Sequence, residues 1–122
     1  MNEFNDGSVA FLEDGDIDQQ GHLDIGEDIV LTMVMGDFCG YCKQAAPMYH
    51  QFALKHKDKA FMTAILTDGE ATEKKLGNRL SSFVPDYQGV PMFLLFKNGK
   101  YTATHDGPRT IEGLESFLEK HK

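Results

Sequence analysis

Two cysteines separated by two residues, Cys39 and Cys42, stand where an apolar run ends and a helix-compatible segment begins. The run, Ile29 to Met35, is rich in β-branched residues and nearly all apolar, the pattern of a central strand buried on both faces. Beyond the cysteines, Ala45, Ala46, Tyr49, Phe52 and Ala53 recur at three- and four-residue spacing, which predicts an amphipathic helix from Gly40 to about Lys57. Lys55, Lys57 and Lys59 gather near its C-terminal end, where the helix dipole favours cations. Pro47 removes one backbone donor and is expected to kink it. A strand that feeds a Cys-x-x-Cys pair at a helix start points to dithiol chemistry rather than a structural bridge.

The other elements read as follows. Val9 to Leu12 is a short apolar run fit for a first strand. Asp14 to Asp28, rich in Asp and Gly, reads as a long irregular loop. Within it, Asp16 to Glu27 has the oxygen-ligand spacing of a calcium loop. The β-branched strand that follows and the lack of a second copy make an acidic loop the expected reading, with no metal. Ala60 to Leu66 is a second buried strand. Glu70 to Phe83 is expected to be one helix, with Leu76, Leu80 and Phe83 inward and Glu73, Lys74 and Arg79 outward. Met92 to Phe96, the Asn98-Gly99 turn and Tyr101 to Thr104 form a hairpin. A last amphipathic helix from about Thr110 to Lys120 turns Ile111, Leu114, Phe117 and Leu118 inward. This alternation predicts an α/β layer, a mixed central sheet of four to five strands flanked by helices.

At 122 residues the chain is expected to be one domain, an acidic segment 1–28 leading into a core 29–120. Residues 1–42 carry ten acidic residues and no Lys or Arg; the remainder carries twelve basic against nine acidic, a balance of +3. An acidic face argues against nucleic acid as a partner. No apolar run approaches the roughly 20 residues that span a bilayer, so no membrane partner is expected. No basic and apolar leader opens the chain, so a cytoplasmic location is expected. In a reducing compartment a lone cysteine pair fits a transient disulfide better than a permanent one.

Three separated motifs resemble the thioredoxin family. The first is Cys39-Gly-Tyr-Cys42-Lys43 with Pro47 five residues after the second cysteine. The second is Gly89-Val90-Pro91 running into Phe93-Leu-Leu-Phe-Lys-Asn-Gly99. The third is the hairpin with Gly107-Pro108-Arg109-Thr110, similar to the ending of the catalytic domains of protein disulfide isomerases. The resemblance covers about residues 28 to 120 and implies a thioredoxin fold. It also implies thiol–disulfide oxidoreductase activity, reductase or isomerase, on disulfide-containing proteins, with a redox partner that recharges the pair. No cofactor beyond the Cys39–Cys42 disulfide is implied, and a monomer is expected. Three positions depart from the family: Phe38 stands where most relatives have Trp, Met33 where a buried Asp or Glu is usual, and the lysine that pairs with that acid is matched to Ile65.

The chemistry follows from the helix start. Unpaired N–H groups and the dipole favour a thiolate on Cys39, which makes it the attacking nucleophile. Cys42, one turn in and more buried, keeps its proton longer and resolves the mixed disulfide. The spacer Gly40-Tyr41 matches that of bacterial disulfide isomerases, which implies a somewhat more oxidising couple. By the same resemblance Val90 offers its backbone to an extended substrate beside a cis Pro91, and Phe38, Gly40 and Tyr41 complete the docking rim with Asp37. Arg109 sits where disulfide isomerases carry an arginine that assists the second cysteine; the alternative is that it only decorates the last helix. His50 and His56 are expected on the surface, and the methionines, Met33 and Met35 among them, as core filling. A thioredoxin-fold binding module with secondary redox activity is the competing reading.

Overall fold

The computed structural model describes residues 4–122. Strand β2, Ile29–Met35, is its centre, and all but its first residue are buried. Alternate side chains of β2 supply both sides of the sheet: Leu31, Met33 and Met35 enter one apolar layer, Val30 and Val34 the other. That two-sided burial is what the unbroken apolar run requires. Around it the sheet runs β1-β3-β2-β4-β5, with β1 Ala10–Phe11, β3 Phe61–Leu66, β4 Met92–Lys97 and β5 Lys100–Thr104. β1 and β3, and β3 and β2, are parallel; β4 and β5 complete the sheet antiparallel.

Helix α1, Gly40–Lys55, crosses from β2 to β3 and continues through Pro47. Its inward residues Ala46, Tyr49 and Phe52 meet Leu114 and Phe117 of α4, Ile111–Lys120, in the first layer. The buried Tyr49 hydroxyl donates to the Thr63 carbonyl at 2.7 Å, with the Leu31 carbonyl at 3.0 Å, so α1 is pinned to two strands. Each such large apolar side chain contributes about 1.5–3 kcal/mol on burial.

The second layer differs from the sequence reading in two places. Residues 70–83 form two helices, α2 Ala71–Gly77 and α3 Leu80–Phe83, not one. Arg79, between them, points inward to the acidic loop rather than outward. Its guanidinium donates to Asp14 Oδ1 at 2.6 Å, to the Ile17 carbonyl at 3.1 Å and to the Asp18 carbonyl at 2.5 Å. Glu73 is buried as well, its carboxylate accepting the Glu70 N–H at 2.8 Å in a capping box. The acidic loop opens with a short 3₁₀ turn, Asp14–Asp16, and sends Ile17 and Leu23 into the second layer as a bridged pair. Asp18 Oδ1 accepts the N–H groups of Gln20 and His22, both at 2.9 Å. These oxygens accept from backbone donors, the loop carbonyls of Ile17 and Asp18 accept from Arg79, and the Asp14 carboxylate meets both Arg79 and Lys75.

The hairpin turn is as read: Asn98 and Gly99 both have positive φ, 53° and 82°. Gly99 is needed twice over, because a Cβ there would lie 2.7 Å from the Leu23 carbonyl oxygen. The histidine expectation is corrected. His56 is buried, 2.6 Å from Glu115 of α4, and His50 is only part-exposed, 2.7 Å from Asp6. Both join α1 to a neighbouring segment. Met33, Met35 and Met62 are core residues, while Met1 lies outside the described residues. Among the described residues no helix is long and apolar enough to cross a membrane.

Candidate active site

Cys39 is the N-cap of α1, in extended conformation, so its side chain folds back over the first helical turn. Its Sγ accepts the Cys42 N–H at 3.1 Å, one of the donors that a helix start leaves unpaired. The same sulfur lies 3.9 Å from the Val90 carbonyl oxygen. The Val90–Pro91 peptide is cis. Both cysteines are free thiols, Cys39 8% exposed and Cys42 not at all.

Cys42 is fully buried. Burial, then the Cys39 thiol beside it, pushes its pKa up from 9.0 to about 12; the Gly36 backbone and the positive charge of Arg109 pull the other way. Tyr87 is coupled to the same sulfur: burial first, and then Cys42, hold its phenol protonated to higher pH than usual. The core beside Cys42 is apolar. Met33 is wholly buried, and its partner on β3 is Ala64, in the same layer. Ile65, matched to the family lysine from the sequence, faces the opposite layer. A lysine able to meet an acid at position 33 would have to share its face, so the corresponding position is Ala64.

The remaining site residues divide by exposure. Phe38 and Tyr41 are 74% and 68% exposed. The Phe38 ring lies over Gly36, where a Cβ would come within 2.5 Å of it. Gly40 faces open space. Pro91 is buried, and Val90 is half-buried between the two apolar layers. Arg109 is exposed and lines a cleft with Asp86, Val90, Pro91 and His105. That cleft lies on the cis-peptide side of the site.

One supporting residue was missed from the sequence. Asp68 accepts the Asp37 N–H at 2.9 Å and the Phe38 N–H at 3.3 Å, so its carboxylate ties down the loop before Cys39. The signal was topological: β2 and β3 are parallel, so the residues that follow them emerge side by side. Thr67 makes the same junction, donating from N and Oγ1 to the Met35 carbonyl at 2.8 and 3.0 Å.

The thioredoxin family profile matches residues 18–120. The chain belongs to the thioredoxin family. It is 30% identical to chicken protein disulfide-isomerase A3 over 115 residues, covering 93% of this chain and 21% of that protein. It is also 30% identical to a thioredoxin-like protein, 453L, of Invertebrate iridescent virus 6, covering 82% of this chain and 83% of the viral one. The chain thus spans about a fifth of the length of the chicken isomerase. Among solved structures, thioredoxin f2 of Chlamydomonas reinhardtii superposes with a TM-score of 0.70 at 20% identity, over 93% of this chain and 96% of that one. The first thioredoxin domain of mouse protein disulfide-isomerase A4 superposes with a TM-score of 0.68 at 25% identity, over 93% and 74%. Relatives of both kinds, single-domain and multidomain, share this fold.

Proposed function

We propose that this thioredoxin-family chain is a thiol–disulfide oxidoreductase acting on protein disulfides, with Cys39 as nucleophile and Cys42 as resolving thiol. The observation that carries the reading is the placement of Cys39 Sγ between the Cys42 N–H, at 3.1 Å, and the Val90 carbonyl, at 3.9 Å. The sulfur thus stands at the N-terminal end of α1, and Val90 beside it offers backbone to an extended substrate.

The Cys39 thiolate attacks one sulfur of a substrate disulfide. A mixed disulfide forms, and the other substrate sulfur leaves as a thiolate and takes up a proton. Cys42 then loses its proton and attacks Cys39 Sγ, which releases the second substrate thiol and closes the Cys39–Cys42 disulfide. Two electrons pass from the dithiol to the substrate; the reverse sequence oxidises a substrate dithiol. A dithiol or disulfide partner in solution returns the pair to its starting state.

Insulin reduction with Cys39→Ser and Cys42→Ser tests the assignment. Loss of turnover in both supports it, and unchanged activity in Cys39→Ser removes it. The potential of the couple separates directions: about −270 mV points to a reductase, and about −180 mV or above to an isomerase or oxidant.

A second reading is a docking module in which the thiols are secondary. It draws on the apolar Met33 and Ala64, which supply no proton acceptor to Cys42, and on the exposed Phe38 and Tyr41. Partner capture that survives loss of both cysteines would favour it.

A further inference from the structure

The loop that joins α3 to β4 carries Val90, and one of its side chains ties it across to the β4–β5 hairpin. Its first residues are seated in the second layer, where Val84 is wholly buried and Tyr87 part-buried. The Tyr87 N–H donates to the Val84 carbonyl at 3.1 Å. Asp86, between them, is exposed, and its Oδ1 lies 3.1 Å from the Tyr101 hydroxyl and 3.0 Å from Thr104 Oγ1. The two hydroxyl oxygens are 2.5 Å apart. Each hydroxyl has one proton, so three contacts share two protons, and at least one of these goes to the carboxylate, which only accepts. Tyr101 is itself braced, its ring edge-on to Phe96 at 6.2 Å.

These contacts close a ring. Thr104 is the register partner of Leu94 on β4, and β4 begins at Met92, directly after Val90 and Pro91. The stretch from Asp86 to Met92 is therefore fastened at both ends to the same pair of strands. Inside it Gly89 has a φ of 127°, and a Cβ there would meet nothing within 4 Å. Only the backbone freedom of glycine suits that conformation, which makes Gly89 a soft joint. Its neighbour Val90 presents the carbonyl oxygen that lies 3.9 Å from Cys39 Sγ. Fixing both ends of the stretch limits how far the joint lets that carbonyl move. Asp86, Thr104, Val90 and Pro91 line one cleft of about 380 Å³, so the clasp borders the surface on which Val90 is presented.

We propose that Asp86 is a positioning residue that sets a preference for extended peptide disulfides over small ones: its carboxylate, held by Tyr101 and Thr104, keeps the Val90 backbone ordered for a substrate strand. The role rests on the oxidoreductase reading. A peptide that pairs with Val90 meets a loop already in place; without the clasp, binding must also order the loop. A small disulfide that reaches only the Cys39 sulfur is indifferent to that loss.

Two probes with one leaving group separate the cases: 2,2′-dithiodipyridine, and a short Ala/Ser peptide whose single cysteine is blocked as its 2-thiopyridyl disulfide. The Cys39 thiolate attacks a probe sulfur, a mixed disulfide forms, and pyridine-2-thione leaves and is read by stopped-flow absorbance. Asp86→Ala is expected to lower the peptide rate about fivefold and to leave the dithiodipyridine rate within about twofold. Asp86→Asn keeps the accepting oxygen and should recover the peptide rate. Tyr101→Phe/Thr104→Val should reproduce the loss, with no further fall when Asp86→Ala is added. Amide hydrogen exchange at Gly89 and Val90, followed by nuclear magnetic resonance, should quicken in Asp86→Ala. An unchanged peptide rate, an equal fall with both probes, an Asp86→Asn variant no better than Asp86→Ala, multiplying losses or unchanged exchange each overturn the proposal. If Asp86→Ala fails to fold by circular dichroism, Tyr101→Phe/Thr104→Val takes its place and the same rates and exchange decide. Thione release at an unchanged rate in Cys39→Ser removes the oxidoreductase reading instead, while the exchange at Gly89 and Val90 still decides the clasp.

Discussion

The buried Cys42 thiol makes a quantitative prediction about stability against pH. In the unfolded chain it ionises near 9.0; in the fold, burial first and the Cys39 thiol second raise it to about 12. Between these values the unfolded state has lost a proton that the native state keeps, so ν_U − ν_N is negative and stability falls as pH rises. The slope attributable to this one group is at most about 1.4 kcal/mol per pH unit, reached once pH exceeds the unfolded value. Solvent entering along the cleft would reduce it toward about half of that. The other groups that titrate in this range, mostly exposed lysines, are cancelled by comparing two variants. Urea unfolding of Cys39→Ser and of Cys39→Ser/Cys42→Ala is measured from pH 8 to 10.5 under reducing conditions. The variant that keeps Cys42 should lose stability faster than its partner by about 0.7–1.4 kcal/mol per pH unit above pH 9. The Cys39 substitution removes the second cause of the shift and leaves the first, burial, in place. Parallel slopes in the two variants would refute the claim that burial governs this thiol, and would place its ionisation in the ordinary range.

Three further outcomes follow from the same geometry. Met33→Glu puts a carboxyl into the apolar layer beside Cys42; it should cost about 2–4 kcal/mol by chemical denaturation yet speed resolution of a trapped Cys39 mixed disulfide at pH 7 by stopped-flow quench, and unaltered resolution would argue that a proton acceptor is not limiting. Asp68→Ala leaves the Asp37 and Phe38 N–H groups without their acceptor; it should lower stability by about 1 kcal/mol and lower kcat/KM for insulin reduction more than the melting temperature explains. Arg79→Ala removes the donor from the Ile17 and Asp18 carbonyls; a loss of about 1–3 kcal/mol with new protease cleavage between residues 14 and 28 is expected, and an uncut loop would show that Ile17 and Leu23 hold it alone.

Local pattern carried much of the reading where one residue type meets one physical demand. The apolar run at Ile29–Met35 could only be a strand buried on both faces, and Asn98-Gly99 could only be a tight turn with two positive φ angles. The spacing of Cys39 and Cys42 at a helix start gave the candidate site. Local pattern misled where a side chain serves a distant partner. Glu73 and Arg79 are charged and helical in period, so their sequence context says exposed; one is buried in a cap and the other binds a loop more than sixty residues earlier. His56 misled in the same way, because its partner Glu115 lies on another helix.

By itself, then, the sequence determined the chemistry available, two thiols on a helix start after a central strand, because backbone periodicity and helix-end electrostatics are local. Tertiary structure decided what surrounds them. It put Val90 against Cys39, Ala64 rather than Ile65 beside Met33, and Asp68 under the loop before Cys39. Those neighbours are set by strand register and by the pairing of β2 with β3 and β4. Strand register has a period of two, so a one-residue difference moves a side chain to the opposite layer. Only the folded sheet fixes that choice.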